Sequence, residues 1–172
     1  KKKLFLLISS ITIILFISCK SKQDNNEKNI IGKPQVNVEN GIMTPEALWS
    51  FGRIGEVVVS PDKKKIIYTV KYFSIAENKG NSEIYSMDID GNNVQQLTKT
   101  PYNESNIICK PDGKKIAFLS SESGSSQIWE MDFDGSNKKQ ISKEDSDIEG
   151  FKYSPDSKHV LFIKQVKIDS TV

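Results

Sequence analysis

From residue 53 onward, short runs of apolar and polar residues alternate and are separated by polar turns. One such run is Phe151-Lys152-Tyr153, and a more apolar one is Lys115-Ile116-Ala117-Phe118-Leu119. A two-residue period over a short run predicts a β-strand. The Pro-Asp and Asp-Gly pairs between the runs predict tight turns. The pattern therefore predicts an all-β region built from consecutive antiparallel hairpins.

Two motifs recur along this region. The first motif occurs three times, as Ser-Pro-Asp-Lys-Lys-Lys-Ile-Ile-Tyr from Ser60, Lys-Pro-Asp-Gly-Lys-Lys-Ile-Ala-Phe from Lys110 and Ser-Pro-Asp-Ser-Lys-His-Val-Leu-Phe from Ser154. The second lies between these copies, as Ile-Tyr-Ser-Met-Asp-Ile-Asp-Gly ending at Gly91 and Ile-Trp-Glu-Met-Asp-Phe-Asp-Gly ending at Gly135. Because separate motifs keep a common register, the region consists of repeated structural units.

The spacing of the repeats identifies the architecture. Asp90 and Asp134 lie 44 residues apart, while Asp62 and Asp112 lie 50 apart, because six extra residues around 74–80 predict an enlarged hairpin loop. A period near 44 with four short strands matches one blade of a β-propeller. Since one blade cannot bury both of its faces alone, neighbouring blades must stack. We predict an all-β fold, a partial β-propeller of about two and a half four-stranded blades, over residues 53–172. The blades are placed at about residues 55–99, 105–143 and, incompletely, 149–172.

A short helix is predicted before the first blade, over residues 44–52. Thr44 can cap its first turn, Pro45 suits the first helical position, and Glu46 lies at the positive end of the helix dipole. Gly52 can end it. Leu48, Trp49 and Phe51 give the helix an apolar side that must dock on another element.

The N-terminal residues read as an export signal. Three lysines precede an apolar stretch that is shorter than a membrane span, and the stretch ends in Phe16-Ile17-Ser18-Cys19, which resembles a lipobox. We predict a lipoprotein signal peptide at 1–18, lipidation of Cys19 and a flexible tether at 19–43; an uncleaved anchor helix is the alternative. This predicts a bacterial cell-envelope protein that is held to the membrane by its lipid and faces the periplasm. The first residue is Lys and the last is within a strand pattern, so we expect a piece of a longer chain.

The charge balance argues against nucleic acid as a partner. The chain has a formal net charge of +2, but the three lysines of the signal contribute to it. Without residues 1–18, 21 basic residues face 22 acidic ones. No net positive field is left to attract a polyanion.

The residues that suggest chemistry at first sight have structural explanations. His159 is the single histidine and lies at a strand start, and no Gly-x-Ser-x-Gly sequence provides a serine nucleophile. Asp88 and Asp132 begin loops in which Lys occupies the twelfth position, where an EF-hand needs Glu. Cys109 alternates with core-facing residues, so we expect a buried, unreactive thiol. We predict no catalytic, cofactor-binding or metal-binding residue, and no cofactor, for this chain.

The repeat resembles that of a known family. Ser-Pro-Asp-x-Lys-Lys-Ile-x-Tyr/Phe followed by Ile-Tyr/Trp-x-Met-Asp-x-Asp-Gly is similar to the propeller repeat of TolB-like proteins and of prolyl oligopeptidase-family peptidases. Residues 43–62 and 68–85 resemble the entry into the propeller of dipeptidyl-peptidase-like members. The resemblance implies a propeller followed by an α/β-hydrolase domain with a Ser-Asp-His triad. It also implies that the propeller filters peptides by size.

Three hypotheses for the function follow. In the first, the chain is the N-terminal propeller of an exported prolyl oligopeptidase-like serine peptidase that acts on short peptides, and its catalytic domain is missing here. In the second, it is a TolB-like envelope lipoprotein whose propeller binds a protein or glycan. In the third, it is a purely structural envelope lipoprotein. No residue of the family's triad can be assigned to a position in this sequence.

Overall fold

The computed structural model describes residues 29–166 and 168. The predicted signal peptide, the predicted lipidation at Cys19 and the first part of the predicted tether lie outside the described residues. A 3₁₀ turn spans Glu39–Gly41 and one α-helix, α1, spans Pro45–Ser50. The strands are β1 (Arg53–Val59), β2 (Lys65–Ser74), β3 (Lys79–Asp88), β4 (Gln95–Gln96), β5 (Ser105–Cys109), β6 (Ile116–Ser120), β7 (Gln127–Met131), β8 (Lys139–Gln140), β9 (Ile148–Tyr153) and β10 (Val160–Lys164).

The strands form three antiparallel sheets in which each strand pairs with its sequence neighbour. Strands β1 to β4 form one sheet, β5 to β8 a second, and β9 and β10 a third. We call these sheets blade 1 (53–96), blade 2 (105–140) and blade 3 (148–164). Each four-stranded sheet corresponds to one sequence repeat. The predicted fold class, an all-β partial propeller with a short N-terminal helix, is confirmed.

Helix α1 is bounded by its capping residues. The Ala47 amide donates to the Thr44 hydroxyl at 3.1 Å, which places Thr44 at the N-cap, and Pro45 opens the first turn. Phe51 already has extended backbone angles, so the helix ends at Ser50. The helix is therefore shorter than the predicted 44–52, because the residues at both ends of that range serve as caps or connections.

The Pro-Asp motifs form tight turns between the first two strands of each blade. In blade 1, Asp62 Oδ1 accepts hydrogen bonds from the Ser60 hydroxyl at 2.6 Å and from the Lys64 amide at 3.1 Å. The Ser60 hydroxyl, together with the Lys64 amide, holds the pKa of Asp62 below its ordinary value. The residue after the Asp has a left-handed backbone in all three copies: Lys63 (φ 60°), Gly113 (φ 70°) and Ser157 (φ 58°). Glycine adopts this conformation without a steric penalty.

Apolar side chains fill the space between the blades. Between blades 1 and 2, Phe118 is completely buried against Ile67 and Ile84, together with Ile107, Ile116 and Met131. Between blades 2 and 3, Ala117 and Leu119 pack with Ile128, Ile148 and Phe151. Consecutive residues of β6 thus face opposite neighbours, as the alternation of a strand requires. Each fully buried Ile or Phe contributes about 1.5–3 kcal/mol.

The two outward faces of the array are exposed. Val57 of blade 1, the equivalent of buried Ile107, is 55% exposed, and Leu161 of blade 3 is 74% exposed. Tyr68 and Tyr85 stack on each other at 5.8 Å between ring centroids, at positions equivalent to the inter-blade Phe118 and Trp129. In blade 2, which has a neighbour on each side, the equivalent aromatics Phe118 and Trp129 pack in the layer between blades 1 and 2.

Side chains at the bulges of β1 and β5, the first strands of blades 1 and 2, link neighbouring blades. The register of β1 shifts between Ile54 and Val57, and Glu56 lies in this bulge. Its two carboxylate oxygens accept hydrogen bonds from the Asn106 amide at 2.7 Å and the Ile107 amide at 2.8 Å. Asn106 lies in the corresponding bulge of β5, and its Oδ1 accepts from the Phe151 amide at 2.9 Å. The same device thus connects blade 1 to blade 2 and blade 2 to blade 3.

The six extra residues of the first repeat lengthen two strands. Strands β2 and β3 have ten residues each, against five each in β6 and β7, and their pairing continues to Ser74 and Lys79. The turn itself covers only residues 75–78, where the Asn78 amide donates to the Ile75 carbonyl at 3.2 Å. The predicted enlarged loop is instead a long hairpin, because Tyr72 and Phe73, aromatic residues of a kind that favours strands, pair with Asn81 and Gly80 just before the turn.

The described end of the predicted tether contacts this hairpin. Ile31 is nearly buried, and the Asn29 side-chain amide donates to Glu77 Oε1 at 3.4 Å. Residues 29–38 have no regular secondary structure. The segment that was expected to be a free tether therefore lies, from residue 29 onward, against blade 1.

Glu56→Ala tests the link between blades 1 and 2. The change leaves two backbone amides of β5 without their acceptor, so we expect the free energy of unfolding to fall by about 1–2 kcal/mol. Chemical denaturation followed by circular dichroism measures this difference. Glu149→Ala, which removes an exposed glutamate of blade 3, is the matched control and should change stability by less than about 0.5 kcal/mol. Equal stabilities of the two variants would contradict the assignment.

Candidate functional site

The residues that the sequence singled out for possible chemistry lie apart from one another. His159 is exposed at the end of the third Pro-Asp turn, where its backbone amide donates to the Ser154 hydroxyl at 3.0 Å. Cys109 packs at the edge of the core between blades 1 and 2. Burial, and then the negative charge of Asp62, raises the pKa of the Cys109 thiol to about 11. A thiol with so high a pKa is largely protonated at neutral pH, so it is a poor nucleophile.

The carboxylates of the Asp-Gly loops are engaged in the turns themselves. Asp132 accepts from Asn137 Nδ2 at 2.6 Å and forms an ion pair with Lys115 at 2.5 Å. Asp88 makes the equivalent contacts with Asn93 and Lys65. These bonds hold the pKa of both aspartates below the ordinary value. In the described part of the chain, no group of three or more acidic, His or Cys side chains is arranged to hold a metal ion.

A groove with a cavity volume of about 350 Å³ is one of several concave surfaces on blade 1. It lies between α1, the long β2–β3 hairpin and the N-terminal segment. We call it the hairpin groove; its lining includes Ile31, Pro34, Glu46, Trp49, Phe73 and Ile75. Apolar and aromatic side chains with a few polar groups are the usual composition of a binding surface. The groove therefore is the candidate functional site.

Arg53 joins the two aromatic side chains of the groove. Its guanidinium carbon lies 4.6 Å from the ring centroid of Trp49 and 4.6 Å from that of Phe73. The two rings also contact each other edge to face, with their centroids 5.4 Å apart. A guanidinium over an aromatic face is attracted by the ring quadrupole. This cluster attaches α1 to the long hairpin.

Two glycines permit the close packing around this cluster. A Cβ atom at Gly80 would approach the Phe73 ring to 2.9 Å, and one at Gly52 would approach the Tyr72 ring to 2.9 Å. Such distances are shorter than real Cβ contacts. The glycines therefore let the aromatic residues of β2 lie flat against the adjacent backbone.

The side chains that line the groove are mostly apolar, with two carboxylates and the hydroxyls of Ser50 and Ser74 among them. Its carboxylates, Glu46 and Glu77, lie among apolar side chains, and no histidine or cysteine lines it. Over residues 29–166 and 168, no helix is long and apolar enough to span a bilayer.

Sequence reasoning did not identify the groove. Two signals pointed towards it: the apolar side of the predicted helix, with Trp49, and the six-residue insertion near Phe73. Trp49 and Phe73 lie 24 residues apart in the chain, and only the fold shows that they meet. No sequence pattern indicated that Arg53 would contact these two aromatic side chains.

Comparison with known proteins agrees with the observed fold. Residues 51–172 match the family model described as TolB beta propeller domain. A dipeptidyl-peptidase 5 from Porphyromonas gingivalis is 40% identical over 80 residues, which is 46% of this chain and 12% of that protein. The chain thus spans a small part of the length of this relative.

Two solved structures place the repeat in the same architecture. A TolB-type protein from Agrobacterium tumefaciens has a TM-score of 0.51 and 31% identity, over 66% of this chain and 38% of that one. An acylaminoacyl peptidase from Pyrococcus horikoshii has a TM-score of 0.58 and 20% identity, over 73% of this chain and 19% of that one. The second likeness concerns the fold alone.

Arg53→Ala tests the role of the cation in this groove. Loss of the guanidinium removes two ring contacts, so we expect α1 to open more easily and overall stability to fall by about 1 kcal/mol. Hydrogen exchange of the Leu48 amide, which donates to the Thr44 carbonyl at 3.0 Å, reports on the helix. Lys152→Ala on β9, far from the groove, is the control. Unchanged exchange at Leu48 in Arg53→Ala would show that the helix is held by other contacts.

Proposed function

The chain belongs to the TolB beta propeller family, and from this premise we propose that it is the N-terminal propeller part of an exported serine peptidase of the prolyl oligopeptidase type. The observation that carries the proposal is the 40% identity with a dipeptidyl-peptidase 5. Membership of this family supports the propeller part of the proposal. The similarity to a relative named as a dipeptidyl-peptidase supports the peptidase part.

In this proposal the propeller admits and positions short peptides, and bond cleavage takes place in another part of the protein. The hairpin groove supports a positioning role, because it combines the aromatic faces of Trp49 and Phe73 with two carboxylates. The long hairpin that forms it is also the place where blade 1 departs from blade 2. An extension of this kind gives a repeated scaffold a surface that the other blades do not have.

A serine-reactive fluorophosphonate probe tests whether bond cleavage takes place outside this propeller region. We expect the 172-residue chain to remain unlabelled, since it has no Gly-x-Ser-x-Gly elbow. The longer protein encoded by the same gene should be labelled, and a variant of it with the nucleophilic serine changed to alanine should not. Labelling of the short chain would overturn the claim that catalysis lies elsewhere. A gene that ends soon after the propeller, without a hydrolase region, would overturn the peptidase proposal itself.

Export and anchoring form the second part of the proposal. The lipobox-like Phe16-Ile17-Ser18-Cys19 supports a protein held to a bacterial envelope membrane by lipid on Cys19 and facing the periplasm. One acyl-modified residue at the N-terminus would tether blade 1 near the membrane. This places the groove where short extracytoplasmic peptides are available.

Metabolic labelling with an alkyne fatty acid tests the anchor. We expect the wild-type chain to incorporate the label in a bacterial host and Cys19→Ser to lose it. Cys109→Ser is the matched control, since it removes the other cysteine and should keep full labelling. Equal labelling of Cys19→Ser and the wild type would exclude lipidation at this position.

A second candidate function is that of a propeller that binds an envelope protein or glycan without a hydrolase domain. The 31% identity with the TolB-type protein favours it. The two candidates differ in the coding sequence that follows the propeller. More blades and then an α/β region with a nucleophile elbow identify the peptidase, and a stop after the last blade identifies the binding protein.

A further inference from the structure

Two buried glutamates meet at the junction between blades 1 and 2. Glu83 lies on β3 and Glu104 lies in the connection that leads into β5; they are 2% and 1% exposed. Their carboxyl groups are neighbours, because Glu83 Oε1 accepts from the Thr100 amide and Glu104 Oε1 accepts from the Thr100 hydroxyl. Two adjacent carboxylates repel each other strongly when both are ionised in a site that excludes water.

The hydrogen bonds around the pair leave one oxygen on each side without a donor. Glu83 Oε1 accepts from Asn81 Nδ2 at 2.6 Å and from the Thr100 amide at 2.8 Å. Glu104 Oε1 accepts from the Thr100 hydroxyl at 2.9 Å. The Oε2 atoms of both glutamates are buried and have no partner among the described residues. One proton on either carboxyl group would supply the donor that these oxygens lack.

The charged groups near the pair do not take over the role of this proton in balancing the negative charge of the two carboxyl groups. From blade 2, Lys138 acts on Glu104, but its ammonium group also pairs with Glu122. From blade 1, the neighbouring ionisable group is Tyr85; burial raises its pKa to about 12, so it is neutral at physiological pH. Burial, and then the charge of Glu83, raises the pKa of Glu104 to about 8. Burial also raises the pKa of Glu83.

The next junction of the same molecule shows the same site without charge. Gln127 and Ile148 occupy the positions equivalent to Glu83 and Glu104, 44 residues further along the chain. Gln127 Oε1 accepts from the Glu144 amide at 2.9 Å, as Glu83 accepts from the Thr100 amide, and Ile148 is buried. The blade repeat therefore forms this junction without acidic residues, and the carboxyl pair is an addition specific to blades 1 and 2.

We propose that Glu83 and Glu104 hold one proton between them and form a pH-sensitive clasp, which joins blades 1 and 2 firmly in mild acid and weakens as the proton is lost in alkali. The proton passes to bulk water and leaves two facing carboxylates. In the unfolded chain both glutamates ionise near their ordinary pKa of about 4.3. Above that pH and below the pKa of the folded pair, the folded chain binds one proton more than the unfolded chain. Its stability therefore falls as the pH rises.

Unfolding of the full 172-residue chain at several pH values between about 5 and 9 tests the clasp. The Glu104→Gln variant mimics the protonated acid, because its amide can donate to Glu83 at every pH. We expect the folding equilibrium constant of the wild type to fall, relative to that of Glu104→Gln, by about tenfold per pH unit up to the pKa of the pair. Identical pH dependence of the two proteins would overturn the proposal.

A double variant provides a comparison that keeps the junction packed. Glu83→Gln with Glu104→Ile copies the residues of the second junction, so it should fold and should lose the excess pH dependence. Glu149→Gln, at an exposed glutamate, is the matched control and should keep the wild-type dependence. Loss of the dependence in Glu149→Gln as well would assign the effect to overall charge and overturn the clasp.

Infrared spectroscopy detects the shared proton directly. At neutral pH the folded wild type should show the carbonyl stretch of a neutral carboxylic acid, and folded Glu104→Gln should lack it. Addition of calcium chloride or sodium chloride at alkaline pH tests for a bound cation instead. Selective stabilisation of the wild type over Glu104→Gln by either salt, with no neutral-acid band, would overturn the proton assignment.

Discussion

Each sheet of this protein has two apolar faces and can bury neither of them alone. Strand β6 shows the consequence, since Phe118 faces blade 1 while Ala117 and Leu119 face blade 3, and the whole strand is buried. Val57 and Leu161, at equivalent depth in the outer blades, are mostly exposed. Burial in the array thus depends on the number of neighbouring blades rather than on residue type. Stability in such an array is set by contacts between adjacent repeats.

Apolar contact holds the blades together, and polar side chains determine how they are aligned. An apolar layer tolerates small shifts along the strands, whereas a hydrogen bond to a backbone amide fixes one register. Glu56 and Asn106 supply such bonds from equivalent bulges, each to the innermost strand of the next blade. Gly150 occupies the third equivalent position and has no side chain to supply one. Consecutive blades therefore use similar packing but different polar connections.

The repeats made most of the fold predictable. Three Pro-Asp motifs and two Asp-Gly motifs in one register define the strands between them, because turn chemistry is local. The hairpin groove was not predictable in the same way, since Trp49 and Phe73 are brought together by tertiary packing and Arg53 lies between them. The position of the insertion near residue 74 was predictable from the repeat spacing, but the conformation of the inserted residues was not. Whether inserted residues form a loop or longer strands depends on their pairing across the hairpin, which reached Ser74 and Lys79.

Repetition also separates what the architecture requires from what one repeat adds. A feature present in every blade, such as the left-handed residue after each Pro-Asp pair, is explained by the fold. The hairpin groove and the Glu83–Glu104 pair occur in blade 1 and at its junction, while blade 2 forms the equivalent structures with short strands and with Gln127 and Ile148. Packing alone therefore does not account for them. Both departures lie at the end of blade 1 where β2 meets β3 and β4 leads into β5, so the groove and the carboxyl pair share one end of the same blade.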